Sequence, residues 1–243
     1  MPLTKRRVIF GLSGLAIGFV VAFFWTKNYN NTALGSQAQL KPGAPAAALG
    51  DQAGAASQQA GMGSVRDTIE RAKSNPNDFE AQVKAAQMFD QIGRVKEEIP
   101  LLEQAYKADR SQAVAMNIPP YLAEYYSSQK DYQNAEKWYR AQLDAKPGDQ
   151  EIAIELGATF IDREPPNPDK AIDYLQSVLK TSPGNAHALV HLTQAYLLKK
   201  DARAAEDSLA KARQSDSGNK MIPDLEKQVN ALKSGQQVIL PKE

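Results

Sequence analysis

The sequence predicts an all-α protein: a solenoid of about four helix hairpins with capping helices, preceded by one N-terminal transmembrane helix. Three observations predict it. Residues 8–25 form an uncharged apolar run, residues 26–63 lack large apolar side chains almost entirely, and residues 77–217 repeat one side-chain pattern every 34–37 residues. The chain is therefore expected to consist of an anchor, a linker and a helical array.

Composition excludes several classes of function. The chain has 243 residues, a formal net charge of +1 and no cysteine, so disulfides, thiolate catalysis and cysteine-ligated metals are excluded. Residues 1–63 hold five basic residues and one acidic residue, which leaves 24 basic and 27 acidic residues for the rest. Since nonspecific nucleic-acid binding relies on an excess of Lys and Arg, we expect no nucleic-acid partner.

The apolar run at 8–25, VIFGLSGLAIGFVVAFFW, is predicted to be a transmembrane helix. As a helix it would span roughly 27 Å, close to the hydrocarbon thickness of a bilayer. Lys5, Arg6 and Arg7 precede it, and basic residues favour the cytoplasmic side. We expect residues 1–7 in the cytoplasm and the array outside a cytoplasmic (inner) membrane, periplasmic or extracytoplasmic. The alternative is a cleaved signal peptide, processed near residues 33–35.

One face of this helix carries small residues at four-residue spacing: Gly14, Gly18 and Ala22. Small residues allow two membrane helices to approach closely, so this face could pair two copies of the chain. Glycine is also common in membrane helices generally, and this second interpretation is preferred.

Residues 26–63 are predicted to be a flexible linker. They are rich in Ala, Gly, Gln, Asn, Ser and Pro, and such a segment buries too little apolar surface to offset the entropy of ordering it. The linker would hold the following domain near the membrane without fixing its orientation.

The array is predicted from two signals that recur in phase. The first is a ring, at intervals of 37, 34 and 36 residues: Phe89, Tyr126, Phe160 and Tyr196. The second is a large core side chain, at intervals of 37, 36 and 34 residues: Leu102, Tyr139, Leu175 and Leu209. Two helical stretches per unit of this length indicate stacked helix hairpins.

A small residue stands three positions before each ring, where two helices must approach closely: Ala86, Ala123, Gly157 and Thr193. Pro147 and Pro183 end two of the second helices, and Asp149 and Asn185 follow as candidate N-caps. We predict a domain at 64–235. It consists of a lead-in helix at 64–74, repeats at about 77–110, 116–147, 150–183 and 186–217, and a capping helix at 223–234. The tail at 236–243, with three adjacent apolar residues, could pack back on the array or serve as a docking segment, and packing is preferred.

These motifs resemble the tetratricopeptide repeat family, whose pattern is W-x2-L-G-x2-Y, then A-x3-F-x2-A, then P. The third unit carries most of the pattern: Leu156, Gly157, Phe160, Ala171, Leu175 and Pro183. No unit has the tryptophan, and the third unit has a two-residue insertion at 164–168. The resemblance, to membrane-anchored bacterial members, implies a right-handed α-solenoid that binds proteins.

By this resemblance the binding surface is the inner face of the first helix in each unit. Sixteen residues occupy the corresponding positions: Glu80, Val83, Gln87, Asp90, Asn117, Glu124, Ser127, Glu151, Ile154, Ala158, Ile161, His187, Val190, Gln194, Leu197 and Leu198.

Two histidines, His187 and His191, have the i, i+4 spacing of metal ligands. No third ligand is indicated, so we expect surface or groove histidines and no metal site. No nucleophile–base pair is apparent, and we expect neither an enzyme nor a cofactor.

The expected function is that of a membrane-tethered scaffold or adaptor, which binds a polypeptide partner in the groove and assists assembly of an envelope complex. The alternative is a chaperone-like holder of exported chains, of the cytochrome c maturation or translocon-associated type. A repeat-type RNA binder is a third option, which the acidic balance and the lack of base-stacking groove positions disfavour.

Overall fold

The structure, a computed structural model, describes residues 65–240. The predicted cytoplasmic segment, transmembrane helix and linker lie outside these residues, as do the pairing face Gly14, Gly18 and Ala22 and the last three residues of the tail. Within residues 65–240, none of the helices combines the length and the apolar composition that a membrane crossing requires.

All regular structure in residues 65–240 is helical, which confirms the all-α prediction for this part of the chain. The helices are α1 (65–74), α2 (Phe79–Gln91), α3 (Val95–Ala108), α4 (Arg110–Ala115), α5 (Ile118–Ser128), α6 (Tyr132–Ala145), α7 (Gln150–Asp162), α8 (Pro168–Thr181), α9 (Ala186–Leu198), α10 (Ala202–Ser215) and α11 (Ile222–Lys233).

Four helix hairpins, α2–α3, α5–α6, α7–α8 and α9–α10, form a stack. Helix α7 packs on α6 and α9 as well as on its own partner α8, and α9 packs on α8 and α11. Because each hairpin covers an apolar face of the next, the array behaves as one solenoid with α11 covering its last repeat.

The short helix α4 is an element that the sequence pattern did not predict. It lies between the first two hairpins and packs on α3 and α5. Asn117, which adopts a left-handed conformation with φ 55°, separates α4 from α5. Pro119 and Pro120 follow in the first turn of α5, where a proline needs no hydrogen-bond donor.

The predicted small residues lie where the two helices of a hairpin meet. Ala86, Ala123 and Thr193 are at most 1% exposed, and Gly157 faces the side chain of Leu175. The large side chains of the second helices are also buried, with Leu102, Tyr139, Leu175 and Leu209 at most 6% exposed. This matches the expectation that close approach within a hairpin and apolar filling between hairpins set the spacing.

One backbone hydrogen bond closes the turn of every hairpin. The N-cap residue of each second helix donates its N–H to the carbonyl of the repeated ring: Arg94 to Phe89 (2.8 Å), Asp131 to Tyr126 (2.9 Å), Asn167 to Phe160 (2.8 Å) and Asp201 to Tyr196 (3.0 Å). In the third hairpin the donor lies seven residues after the ring instead of five. The two-residue insertion is therefore accommodated within the loop that this bond closes.

The first helices begin at carboxylate or amide caps. Asp78, Asp149 and Asn185 precede α2, α7 and α9, and the side chain of each accepts a hydrogen bond from the N–H three residues later. Such caps satisfy a backbone donor that has no partner inside the helix, which explains why these helices start where they do.

Candidate functional site

The first helices of the four hairpins present a row of side chains five and two residues before each ring. We call this the inner row: Lys84 and Gln87 on α2, Tyr121 and Glu124 on α5, Glu155 and Ala158 on α7, and His191 and Gln194 on α9. Residues three apart share one face of a helix, so the two positions of each pair point the same way.

Ten of the sixteen predicted groove residues are accessible. Five are exposed: Glu80, Gln87, Asp90, Asn117 and Glu151. Five more are half-buried: Glu124, Ser127, Ala158, His187 and Leu198. These ten side chains are available to a ligand, and their assignment to a binding groove stays a prediction.

The other six are at most 8% exposed, so the structure places them in the core: Val83, Ile154, Ile161, Val190, Gln194 and Leu197. The aliphatic ones pack against the first helix of the following unit. Ile154 and Ile161 share a core cluster with Leu192 of α9, and Val190 and Leu197 share a second cluster with Leu225 of α11. Their side chains hold the stack together and are not available to a ligand in this conformation.

The accessible surface is acidic on α2. Glu80 forms an ion pair with Lys84, at 2.7 Å between Oε1 and Nζ, and both side chains are more than half exposed. The hydrogen bond from Lys84 and its positive charge lower the pKa of the Glu80 carboxyl below its ordinary value. Glu80 is thus ionised at neutral pH, and with the exposed Asp90 it gives this end a negative surface.

Across the middle of the array, tyrosine hydroxyls connect the first two hairpins. Tyr121 donates to the buried Glu98 at 2.9 Å, and Tyr126 donates to Glu103 at 2.6 Å. Both acceptors lie on α3 and both donors on α5. These bonds fix α5, and with it Glu124, against the first hairpin.

The two histidines form a hydrogen-bonded chain on α9. The Nε2 atoms of His187 and His191 lie 3.0 Å apart, and Nδ1 of His191 lies 2.8 Å from Oε1 of Gln194. Nδ1 of His187 lies 3.3 Å from Oε1 of Glu151, on α7. A protonated His187 can donate to Glu151 and to His191 at once, so this chain bridges the inner faces of α7 and α9. Residues 65–240 bring together no group of three or more side chains suited to hold a metal ion.

The groove mapping omitted four inner-row residues: Lys84, Tyr121, Glu155 and His191. His191 was expected only as a surface or groove histidine, and it is 5% exposed. Each of the four lies five residues before its ring, and of the two inner-row positions the mapping included only the one two residues before the ring. The three-residue spacing between the two positions was a signal that could have found them.

Two tetratricopeptide-repeat family models match the chain, one over residues 167–222 and the other over residues 122–149. No curated protein matches it. The chain therefore contains tetratricopeptide repeats, a class of helical repeat whose proteins typically mediate protein–protein interaction as scaffolds or adaptors.

Several solved structures are similar. The crystal structure of MamA is 20% identical, with a TM-score of 0.50 over 64% of this chain and 88% of MamA. YrrB, described as a tetratricopeptide-repeat protein with an unusual peptide-binding site, is 14% identical, with a TM-score of 0.44 over 66% of this chain and 97% of YrrB. The TPR2AB domain of yeast Sti1, solved with pHSP90, is 13% identical, with a TM-score of 0.41 over 75% of this chain and 80% of the Sti1 chain. The likeness to MamA concerns the fold.

Proposed function

We propose that this chain is a non-enzymatic, membrane-tethered scaffold that binds a polypeptide segment along its inner row and assists assembly of an envelope complex. The observation that carries the proposal is the inner row itself, since the first three hairpins present accessible polar and charged side chains of this row on one face. Such a face is long enough to contact an extended segment at several points, as repeat arrays typically do.

The acidic end supports a partner segment with basic residues near one terminus. Glu80, Asp90 and Glu124 contribute three carboxylates along α2 and α5. Charges at the rim of a binding surface act mainly on the association rate and on the dependence of binding on salt. The partner's affinity should therefore fall as ionic strength rises.

Charge reversal tests the binding surface. The full chain carrying Glu80→Lys, Asp90→Lys and Glu124→Lys should recover its partner from detergent-solubilised membranes about 10-fold less well, in line with the loss of steering and register at a charged rim. The control reverses three exposed acids on second helices, Asp144→Lys, Asp173→Lys and Asp207→Lys. Equal recovery by both triple variants would rule out the acidic surface of α2 and α5 as part of the binding surface.

The same pull-down distinguishes the scaffold from its alternative. One or two partners in constant proportion to the chain support a scaffold, and a heterogeneous set of exported chains supports a chaperone-like holder.

Membrane tethering rests on residues 8–25, with Lys5, Arg6 and Arg7 before them. On this basis the chain is single-pass, with its N-terminus in the cytoplasm and the repeats on the outer side. Protease added to spheroplasts should digest the repeats without lysis. An array that stays protected until the cells are lysed contradicts this topology.

A further inference from the structure

The inner row is buried at only one of its four helices. Its two side chains are exposed on α2 and half-buried on α5 and α7, but on α9 His191 is 5% and Gln194 is 4% exposed. The corresponding residues of the capping helix α11, Asp224 and Lys227, are exposed again. The first helices on both sides of α9, namely α7 and α11, pack on it, and the C-terminal tail packs against the same part of the array.

The C-terminal tail packs where two core clusters meet at α9. Two core clusters lie on opposite sides of this helix: one contains Leu192 and Ala195, and the other contains Val190 and Leu197. Leu240 packs against both clusters. Leu240 therefore lies where the two clusters meet, and α9 contributes residues to both of them.

The end of α11 directs the tail back toward the array. Gly235 ends the helix in a left-handed conformation with φ 74°, which glycine adopts without strain. Its N–H donates to Leu232 O at 3.1 Å, and the next N–H donates to Ala231 O at 2.8 Å. The chain thus reverses direction immediately after the capping helix.

The tail is held by a small contact. Ile239 donates its N–H to Oε1 of Gln228 on α11, at 2.7 Å. Val238 and Leu240 pack against the clusters, whereas Ile239 between them is 70% exposed. Alternate side chains of an extended segment point to opposite sides, so two aliphatic side chains face the array and one faces away.

We propose that residues 236–240 are an intramolecular ligand that occupies the inner face of α9 and is displaced when an extended aliphatic segment of the partner binds there. This inference rests on the proposed function, because it assigns the α9 end of the same inner row. The partner segment should resemble the tail, with aliphatic side chains at alternate positions.

Attachment of the tail sets the strength of the competition. A ligand joined by a short segment has an effective concentration of about 1 mM, so even a weak contact keeps the site closed in the free chain. If the detached tail binds with a dissociation constant of about 10 µM, the attached tail weakens an external segment about 100-fold. Removing the tail should therefore increase the affinity for such a segment between about 10-fold and 100-fold.

Thiol labelling measures whether the tail covers α9. The chain has no cysteine, so Gln194→Cys gives one thiol in the full chain, and its maleimide reaction rate reports on exposure of this position. Adding Leu240→Asp should speed labelling about 10-fold or more, whereas Ile239→Asp, at the exposed neighbour, should leave it unchanged. As a control, Gln87→Cys places a thiol at the equivalent, exposed position of α2. Its labelling rate should be the same alone, with Leu240→Asp and with Ile239→Asp.

Binding of the detached tail gives the second readout. A fluorescent peptide of residues 236–243, QQVILPKE, should bind the chain that lacks these residues and should slow labelling at Gln194→Cys again. The peptide with its leucine replaced by aspartate should do neither. Restored protection also shows that the truncated chain is folded.

Three results would overturn the proposal: equal labelling rates with Leu240→Asp and Ile239→Asp, faster labelling of Gln87→Cys, or faster labelling of Gln194→Cys that the added peptide does not reverse. The last two would identify the tail as a structural cap. Because these measurements need no natural partner, they stand whether or not the charge-reversal variants lose partner binding. Conversely, failure here leaves that experiment valid.

Discussion

Gly157 and Leu175 meet across the third hairpin with no space between them. A Cβ added to Gly157 would lie 3.0 Å from Leu175 Cγ and 3.1 Å from its Cδ2, shorter than ordinary van der Waals contact, so the leucine would have to shift by a few tenths of an ångström. Leu175 is fully buried, so its side chain has little room to move away. The glycine of the repeat motif is therefore required here by packing.

Gly157→Ala should destabilise the array in spite of the higher helix propensity of alanine. Alanine contributes about 1 kcal/mol inside a helix, but overpacking a filled core costs about 1–3 kcal/mol, and we expect a net loss of about 1 kcal/mol. Urea unfolding followed by circular dichroism measures it. Gly148→Ala, in a turn where an added Cβ has no neighbour within 4 Å, is the control and should change stability by less than about 0.5 kcal/mol. A stabilised Gly157→Ala variant would contradict this packing argument.

Tyr126 should make stability fall at high pH. Burial, followed by the hydrogen bond to the Glu103 carboxylate, raises the pKa of its hydroxyl above the ordinary value. The folded chain keeps this proton where the unfolded chain releases it, above about pH 10. The resulting stability is fully present below that pH and is lost as pH rises through the folded-state pKa.

Tyr126→Phe should lower the free energy of unfolding by about 1 kcal/mol at pH 7 and make its decline between pH 9 and pH 11 shallower. Denaturant unfolding at several pH values gives both quantities. Tyr125→Phe removes a hydroxyl from the ring that lies edge-on to Tyr126, at 5.3 Å between centroids, and serves as the control. Identical alkaline slopes for the parent and Tyr126→Phe would exclude this contribution.

Asp78 should make stability fall at low pH. The backbone N–H of Ala81, followed by the side chain of Arg71, lowers the pKa of its carboxyl. Its contribution is therefore present above the unfolded-state pKa and is lost as pH falls through the folded-state value. Asp78→Asn retains a capping oxygen without the charge, so its melting temperature should decline less between pH 6 and pH 2. If the melting temperature of Asp78→Asn declines as much as that of the parent between pH 6 and pH 2, other carboxylates cause this decline.

Asn185 caps α9 in the same way without a charge, since its Oδ1 accepts from Ala188 N at 2.9 Å. Asn185→Ala should cost about 1 kcal/mol, whereas Asn185→Gly should cost only a few tenths of that. Asn185→Asp should introduce the acid dependence that Asp78→Asn removes, which makes the two variants reciprocal controls in thermal melts. Equal stability of the alanine variant and the parent would show that α9 does not depend on this cap.

Much of the fold could be predicted because hairpin packing leaves a periodic record in the sequence. The rings, the small residues before them and the asparagine and aspartate caps all lie at positions that the spacing indicated. Helix α4 could not be found in this way, because it belongs to no repeat. Its boundary depends on the left-handed conformation of Asn117 and the prolines after it.

The candidate site was predicted less completely. Ile154 and Val190 were assigned to the groove, yet they pack between consecutive first helices. The repeat spacing identifies the helix face on which a residue lies. On that face, however, a side chain that points toward a ligand and one that points toward the next hairpin are separated by only part of a helical turn. Burial of His191 could not be predicted either, since it depends on packing between residues far apart in sequence.

The bond from Asn167 N–H to the Phe160 carbonyl has a practical consequence. The same bond closes the turns of the other three hairpins, although this turn contains two more residues. Packing of the hairpins therefore fixes the two ends of the turn but not the number of residues between them. Residues 164–166 are exposed, and this corner therefore offers a place to splice in an epitope tag or a fluorophore-binding peptide. A reporter there would mark the chain without displacing a helix.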